Sequence, residues 1–348
     1  MGKILDIIIK IFTVLFVLFL LYCLTIGRDF GKQQINKIVG MYHVNLGDKA
    51  FKEHNMQQAI NSYQTALELF PGHYEAWLNL GNIYVAYEDY FSATQAYENA
   101  IMAKNNYTQA RMNLGIITAE KLGDFDGAIN QYKAIISSKP RLITIPFVYD
   151  NRKSETANKA IAYYNMGKAY SQKAFYIPKE NKSEKDELLN KALTAYENAV
   201  NIVKNDYNML YNLALTYHII GDYRHAGQYY CEAIKTEPMN YEAHYNLGLM
   251  LRHLHQDTYA IDELEKAAVL SSSKYQNNSK YIFDILSSVS MSALQKGVST
   301  KITDEDKEKS DSSEENKTNT KEEDDDESEN SFIESFRKCN SRDLFKLN

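Results

Sequence analysis

The sequence is poor in the residues that interrupt helices. It has five prolines and fifteen glycines among 348 residues, which excludes a collagen-like or Pro/Gly-rich disordered chain and favours long helices. Its three cysteines, Cys23, Cys231 and Cys339, are too few and too scattered for a disulfide scaffold or a zinc ribbon. No Gly-rich phosphate loop, zinc-helix motif or nucleophile elbow is present. The eight histidines are dispersed, and His253 and His255, two apart, fall on different helix faces. Neither catalysis, a cofactor nor a metal is expected. An excess of basic charge is missing too: 39 Lys+Arg against 45 Asp+Glu give −6, which argues against a nucleic-acid binder.

What is present begins with an apolar N-terminus. Residues 4–26 are apolar apart from Asp6, Lys10, Thr13 and Thr25. The uncharged part, residues 11–26, spans about 24 Å as a helix, and the whole stretch about 35 Å. These lengths bracket the bilayer's core of about 30 Å, so residues 1–27 read as a single transmembrane anchor with Lys10 snorkelling at one end. The alternative is a cleaved signal peptide ending near Gly27; the apolar run is long for one, and no Ala-x-Ala follows. Lys3 and Lys10 before the span balance Arg28, Lys32 and Lys37 after it, so charge does not orient it. Residues 28–39 read as a linker.

From about residue 40 the chain repeats itself. Six segments carry Asn, then Leu or Met, then Gly or Ala: Asn45-Leu46-Gly47, Asn79-Leu80-Gly81, Asn113-Leu114-Gly115, Asn165-Met166-Gly167, Asn212-Leu213-Ala214 and Asn246-Leu247-Gly248. Each is followed by a second element built on sets such as Ala59/Tyr63/Ala66, Ala93/Tyr97/Ala100 and Ala260/Leu264/Ala267. Spacings of three and four place small and large apolar residues on one helical face. The Gly or Ala is small so that the partner helix can approach, and the tyrosine fills the space beside it. Gly123-Asp124 and Gly221-Asp222 read as turns, Gly at a left-handed cap and Asp capping the next helix. Pro71, Pro140 and Pro238 recur where the second helix should stop.

This pattern resembles the tetratricopeptide repeat family, a 34-residue helix–turn–helix. The resemblance covers residues 40–272 and implies an all-α, right-handed superhelical solenoid of about six repeats. Trp77 stands at the family's aromatic site; His43, Arg111, Tyr163, Leu210 and His244 replace it elsewhere. Insertions near 141–157 and 175–187 read as surface loops, either merely tolerated or close to a binding face. Residues 273–297 carry Ile282, Ile285, Leu286, Val289 and Ala293 at helical spacing and read as a capping helix.

In such solenoids the first helix of each repeat lines the concave surface. The resemblance therefore places Asn45, Asn79, Asn113, Asn165, Asn212 and Asn246 in one row. A carboxamide both donates and accepts, so the row could pair with the backbone of an extended peptide. Asn is also the family's commonest residue there, so a consensus habit explains the row equally well. Tyr164, Tyr211 and Tyr245 beside it give the C-terminal half an amphipathic surface suited to recognition. A clamp for acidic chaperone tails is incomplete: Asn82 and Asn113 supply its asparagines, but Leu78, Ile161 and Asn165 stand where basic residues are needed.

Between Asp304 and Glu329 lie 14 acidic and 4 basic residues with almost no apolar ones. Residues 298–330 therefore read as a disordered spacer. Residues 331–348 read as a short amphipathic basic helix, with Phe332, Phe336 and Phe345 interleaved with Arg337, Lys338 and Arg342. The acidic segment carries −10 by itself and leaves +4 on everything else. Together these readings describe a non-enzymatic, single-pass membrane scaffold of the bacterial cell envelope. Its partners are a protein or extended peptide and the membrane, with no nucleic acid. A secreted or periplasmic repeat protein and a regulatory subunit of a membrane enzyme are the alternatives.

Overall fold

The computed structural model describes residues 2–139, 144–145, 149–150, 152–272 and 276–296. The side chains of 2–12, 20, 22–26, 144–145, 149–150, 152, 272 and 276–279 are not among those described. Residues 298–330 and 331–348, assigned above to a spacer and a basic helix, lie outside the described residues. The chain forms two compact units, Met1–Ser138 and Lys139–Asn348.

In the first unit, α1 (Gly2–Lys52) pairs with α2 (Met56–Leu69), α3 (Tyr74–Ala86) with α4 (Tyr90–Ala103), and α5 (Thr108–Glu120) with α6 (Phe125–Ser137). Residues 28–39, read from the sequence as a linker, are helical, because α1 runs through them unbroken. Those residues contain no proline to break the helix. Among the described residues no helix is long and apolar enough to cross a membrane.

The second unit opens with a short antiparallel pair, β1 (Thr144–Ile145) and β2 (Tyr149–Asp150), in register Thr144↔Asp150 and Ile145↔Tyr149. Three helix pairs follow: α7 (Arg152–Tyr176) with α8 (Lys182–Ile202), α9 (Tyr207–Ile220) with α10 (Tyr223–Thr236), and α11 (Tyr241–His253) with α12 (Asp257–Ser272). Finally α13 (Gln276–Gln295) packs on α12 and buries Ile282, Val289 and Ala293, the role read for a capping helix. The 175–187 insertion is mostly not a loop. It lengthens α7 and α8 to 25 and 21 residues, against 13 or 14 in α9 and α11. The extension has its own apolar cluster of Ala174, Leu188 and Leu189 under Tyr170 and Ile177.

The pairing rests on one recurrent contact. A Cβ placed on Gly47, Gly81, Gly115 or Gly167 would lie 2.6–2.7 Å from a ring carbon of Tyr63, Tyr97, Tyr132 or Tyr196, and on Gly248 it would lie 2.8 Å from Leu264. These tyrosine rings are almost wholly buried. Gly123 and Gly221 have φ of +70° and +89°, and Asp124 and Asp222 accept from the backbone N–H of Gly127 and His225, as the turn reading requires. In other turns His54, Glu88 and His255 take the left-handed conformation instead.

In three repeats the varied aromatic site has a shared task. Trp77 Nε1 donates to the Pro71 carbonyl at 2.9 Å, and Arg111 Nε to that of Asn105 at 3.0 Å. His244 Nε2 reaches the Pro238 carbonyl at 3.2 Å. Three different side chains tie the start of a first helix to the carbonyl six residues earlier. In these three repeats an N–H on a bulky side chain makes the tie; Tyr163 and Leu210, at the same position in two others, have no side-chain N–H.

Candidate peptide-binding site

Consecutive first helices of the second unit touch, α7 against α9 and α9 against α11, so a row of side chains can run across them. Asn212 Nδ2 donates to the Tyr164 hydroxyl at 3.2 Å and to the Asn208 carbonyl at 2.8 Å. One repeat on, Asn246 Nδ2 donates to the Tyr211 hydroxyl at 2.7 Å and to the Glu242 carbonyl at 3.1 Å. The asparagines and tyrosines read from the sequence therefore form one ladder, each asparagine holding the tyrosine of the preceding repeat. Tyr245, last in the series, lies beside Tyr281 of α13. Asn165 is half-buried on α7.

The first unit builds its ladder differently. Tyr63 donates its hydroxyl to Asp48 Oδ1 at 2.5 Å, and Asn79 Nδ2 lies 3.3 Å from both that oxygen and the Tyr63 hydroxyl. In the next repeat Tyr97 donates to Asn82 Oδ1 at 2.8 Å, and Asn113 Nδ2 donates to the same oxygen at 2.9 Å. Asn82 is thus the fixed acceptor of a core tyrosine. Asn45 is exposed on α1.

These bonds narrow the chemistry that the row can offer. Asn212 and Asn246 spend both amide hydrogens inside the protein, which leaves the carbonyl oxygen as their free function. The balanced donor–acceptor ladder expected from the sequence becomes, in these two repeats, a row of acceptors. Burial first, and the Glu242 carboxylate second, push the Tyr211 hydroxyl up to about 12. Burial and Tyr281 push Tyr245 to about 12 as well. Both remain neutral phenols across the physiological range.

Two cavities flank these elements. One of about 310 Å³ lies in the second unit between α9, α11 and α13, lined by Tyr211, Tyr241, Glu242, Tyr245, Asn246, Tyr281 and Ile282. Three of the residues singled out from sequence meet there. Tyr241, Glu242 and Tyr281 were missed; the first two recur only as ordinary helix-start residues, and Tyr281 belongs to the cap, outside the repeat. A larger one, about 610 Å³, lies in the first unit between α2, α3 and α4, with Gln64, Trp77, Tyr84, Gln95 and Asn99 on its walls. It includes no ladder asparagine. Among the described residues, no group of three or more His, Cys, Asp or Glu is placed to hold a metal.

Comparison with known proteins finds the same kind of repeat. Tetratricopeptide repeat models match residues 50–95 and residues 207–239. The chain is 22% identical over 230 residues to a Drosophila melanogaster protein described as a BBSome complex member BBS4 homolog, covering 66% of this chain and 41% of that protein's length. Its fold is similar to that of PilW, a widely conserved type IV pilus biogenesis factor, with TM-score 0.52 and 15% identity over 70% of this chain and 98% of PilW. It is similar also to pilF of Pseudomonas aeruginosa, with TM-score 0.50 and 14% identity over 71% of this chain and 99% of that one. The two structural likenesses are of fold alone.

Proposed function

We propose that this chain is a tetratricopeptide-type protein-interaction scaffold that holds extended peptide segments along its first helices and is anchored to a membrane by its N-terminus. The observation that carries the binding role is the ladder of Asn212–Tyr164 and Asn246–Tyr211 bonds, which presents fixed acceptors at successive repeats beside a tyrosine-lined cavity. A peptide backbone supplies N–H donors, so the match does not depend on side chains. The scaffold works by holding partners and carries out no reaction of its own. The similarity to a protein named as a complex member fits a role inside an assembly.

The anchor is supported by α1. Every residue from 14 to 19, and Leu21, is an exposed large hydrophobic. A continuous apolar surface of this kind is rare on a soluble chain. Placement in the bacterial cell envelope is part of the same proposal.

Changing Asn212, Asn246, Tyr164 and Tyr211 together to alanine tests the binding role. Crosslinking and affinity purification of the full chain from its native membranes should then lose at least one partner that the parent retains, while circular dichroism shows the helices intact. An unchanged partner set would remove the row from the proposal.

A further inference from the structure

The cavity between α9, α11 and α13 has a composition unlike the rest of the ladder. Four tyrosines and one carboxylate line it, and no Lys, Arg or His does so among the described residues. The Tyr211 hydroxyl accepts from Asn246 and keeps its own O–H as a donor, while the Tyr245 hydroxyl lies beside Tyr281. Beside those hydroxyls, the tyrosines offer a guest their ring faces, which carry the negative side of the aromatic quadrupole. Glu242 is exposed, and its carboxylate has no ion-pair or hydrogen-bond partner among the described residues. Its N–H is occupied by the Asn240 cap and its carbonyl by Asn246. The Asn246 amide hydrogens point their charge into the protein, leaving an oxygen acceptor. The ring faces, the Glu242 carboxylate and the Asn246 carbonyl oxygen all favour a cation.

We propose that this cavity is a specificity pocket for a basic side chain, an arginine or lysine of the bound peptide, received between the tyrosine faces and paired with Glu242. The inference rests on the peptide-scaffold reading above and adds the residue that the scaffold selects. A cation within about 6 Å of aromatic faces gains electrostatic attraction, and more when desolvated. The carboxylate at the rim adds direction to it, since a guanidinium can engage carboxylate oxygens through two N–H groups. A cavity of about 310 Å³ has room for the side chain and a few waters. The contacts are made by the last two repeats and the cap, so the pocket would fix one end of an extended peptide while the carbonyl ladder carries the remainder.

The test is a positional-scanning nonapeptide library displayed to the full-length protein. Selected peptides are then remade with citrulline, neutral and isosteric, in place of arginine. The parent protein should select Arg or Lys at one position, and citrulline there should weaken binding tenfold or more. Glu242→Gln should abolish that difference while leaving residual peptide binding, and Tyr281→Ala, on the exposed cap surface, should reduce it. Selection of acidic or purely apolar residues, or a basic preference indifferent to both variants, would overturn the pocket and leave the scaffold standing. Capture of no peptide at all would overturn both.

Discussion

A methyl group on Gly81 would sit 2.6 Å from Cε1 of Tyr97, a ring that is 2% exposed and whose hydroxyl is fixed on Asn82. Overpacking of this kind costs about 1–3 kcal/mol, whereas alanine's helical advantage over glycine returns only about 1 kcal/mol. The clash wins because the obstacle is a ring carbon held at both ends. Gly81→Ala should therefore lower stability by up to about 2 kcal/mol, read from urea denaturation; a rise would refute the close-approach account. A second residue with a definite signature is Glu263. It is buried, accepts from His244 Nδ1 at 2.6 Å, and pairs with Lys266 at 2.7 Å. Burial alone would raise its pKa, but the His244 hydrogen bond and the Lys266 charge outweigh that and hold the carboxyl below its ordinary value. A depressed carboxyl stabilises the fold above its unfolded pKa, about 4.3, and loses that contribution as pH falls through the folded value. Glu263→Gln should cost about 3–5 kcal/mol near neutrality, the usual result of removing one member of a buried pair. The gap between variant and parent should close on acidification below about pH 4.3, measured by denaturant melts across pH. At this scale the glycine–tyrosine contacts were legible because both partners lie in one repeat at fixed spacing. The ladder's hydrogen bonds were not, since Asn79 finds Asp48 and Asn246 finds Tyr211 at separations of 31 and 35 residues, across a repeat boundary.

Elements follow the sequence where apolar spacing is regular and depart from it where only polar residues speak. The cap α13 was visible in Ile282, Val289 and Ala293, and the structure adds a lock: Lys296 Nζ lies 2.9 Å from Asp257 Oδ2, an oxygen on a side chain 6% exposed at the start of α12. Ile282→Ala should cost about 2–5 kcal/mol as a large-to-small core change. Hydrogen exchange should accelerate in α12 and α13 together, and least in α9, because a repeat array loses stability first at the interface disturbed. Uniform acceleration over the whole unit would contradict that localisation. The 175–187 stretch shows the opposite case. Its lysines, glutamates and asparagines fit a loop or a helix equally, and counting against a 34-residue repeat favours a loop. What makes it helical is the distant meeting of Ala174 with Leu188 and Leu189, which no local pattern announces.

For the whole molecule, the consequence of greatest reach comes from α1. The apolar N-terminal run and the first helix of the first repeat are one continuous helix, Gly2–Lys52. With an anchor ending near residue 27, the first repeat's His43 stands about 24 Å further along a stiff rod, not at the end of a flexible tether. The repeats of the first unit would then be held at a set height and heading relative to the bilayer, a geometric restriction on which partners can reach the ladder. Two alterations separate anchoring from rigidity. Removal of residues 1–27 should release the chain from carbonate-washed membranes into the soluble fraction. Replacing Lys32-Gln33-Gln34 with Gly-Pro-Gly should keep it membrane-bound, since the apolar run is untouched, while breaking the rod. Spin-label distances from residue 43 to the bilayer surface should be narrowly distributed in the parent and broad in the broken rod. Retention of the truncated chain on washed membranes would remove the anchor, and equally broad distributions in both would remove the rod.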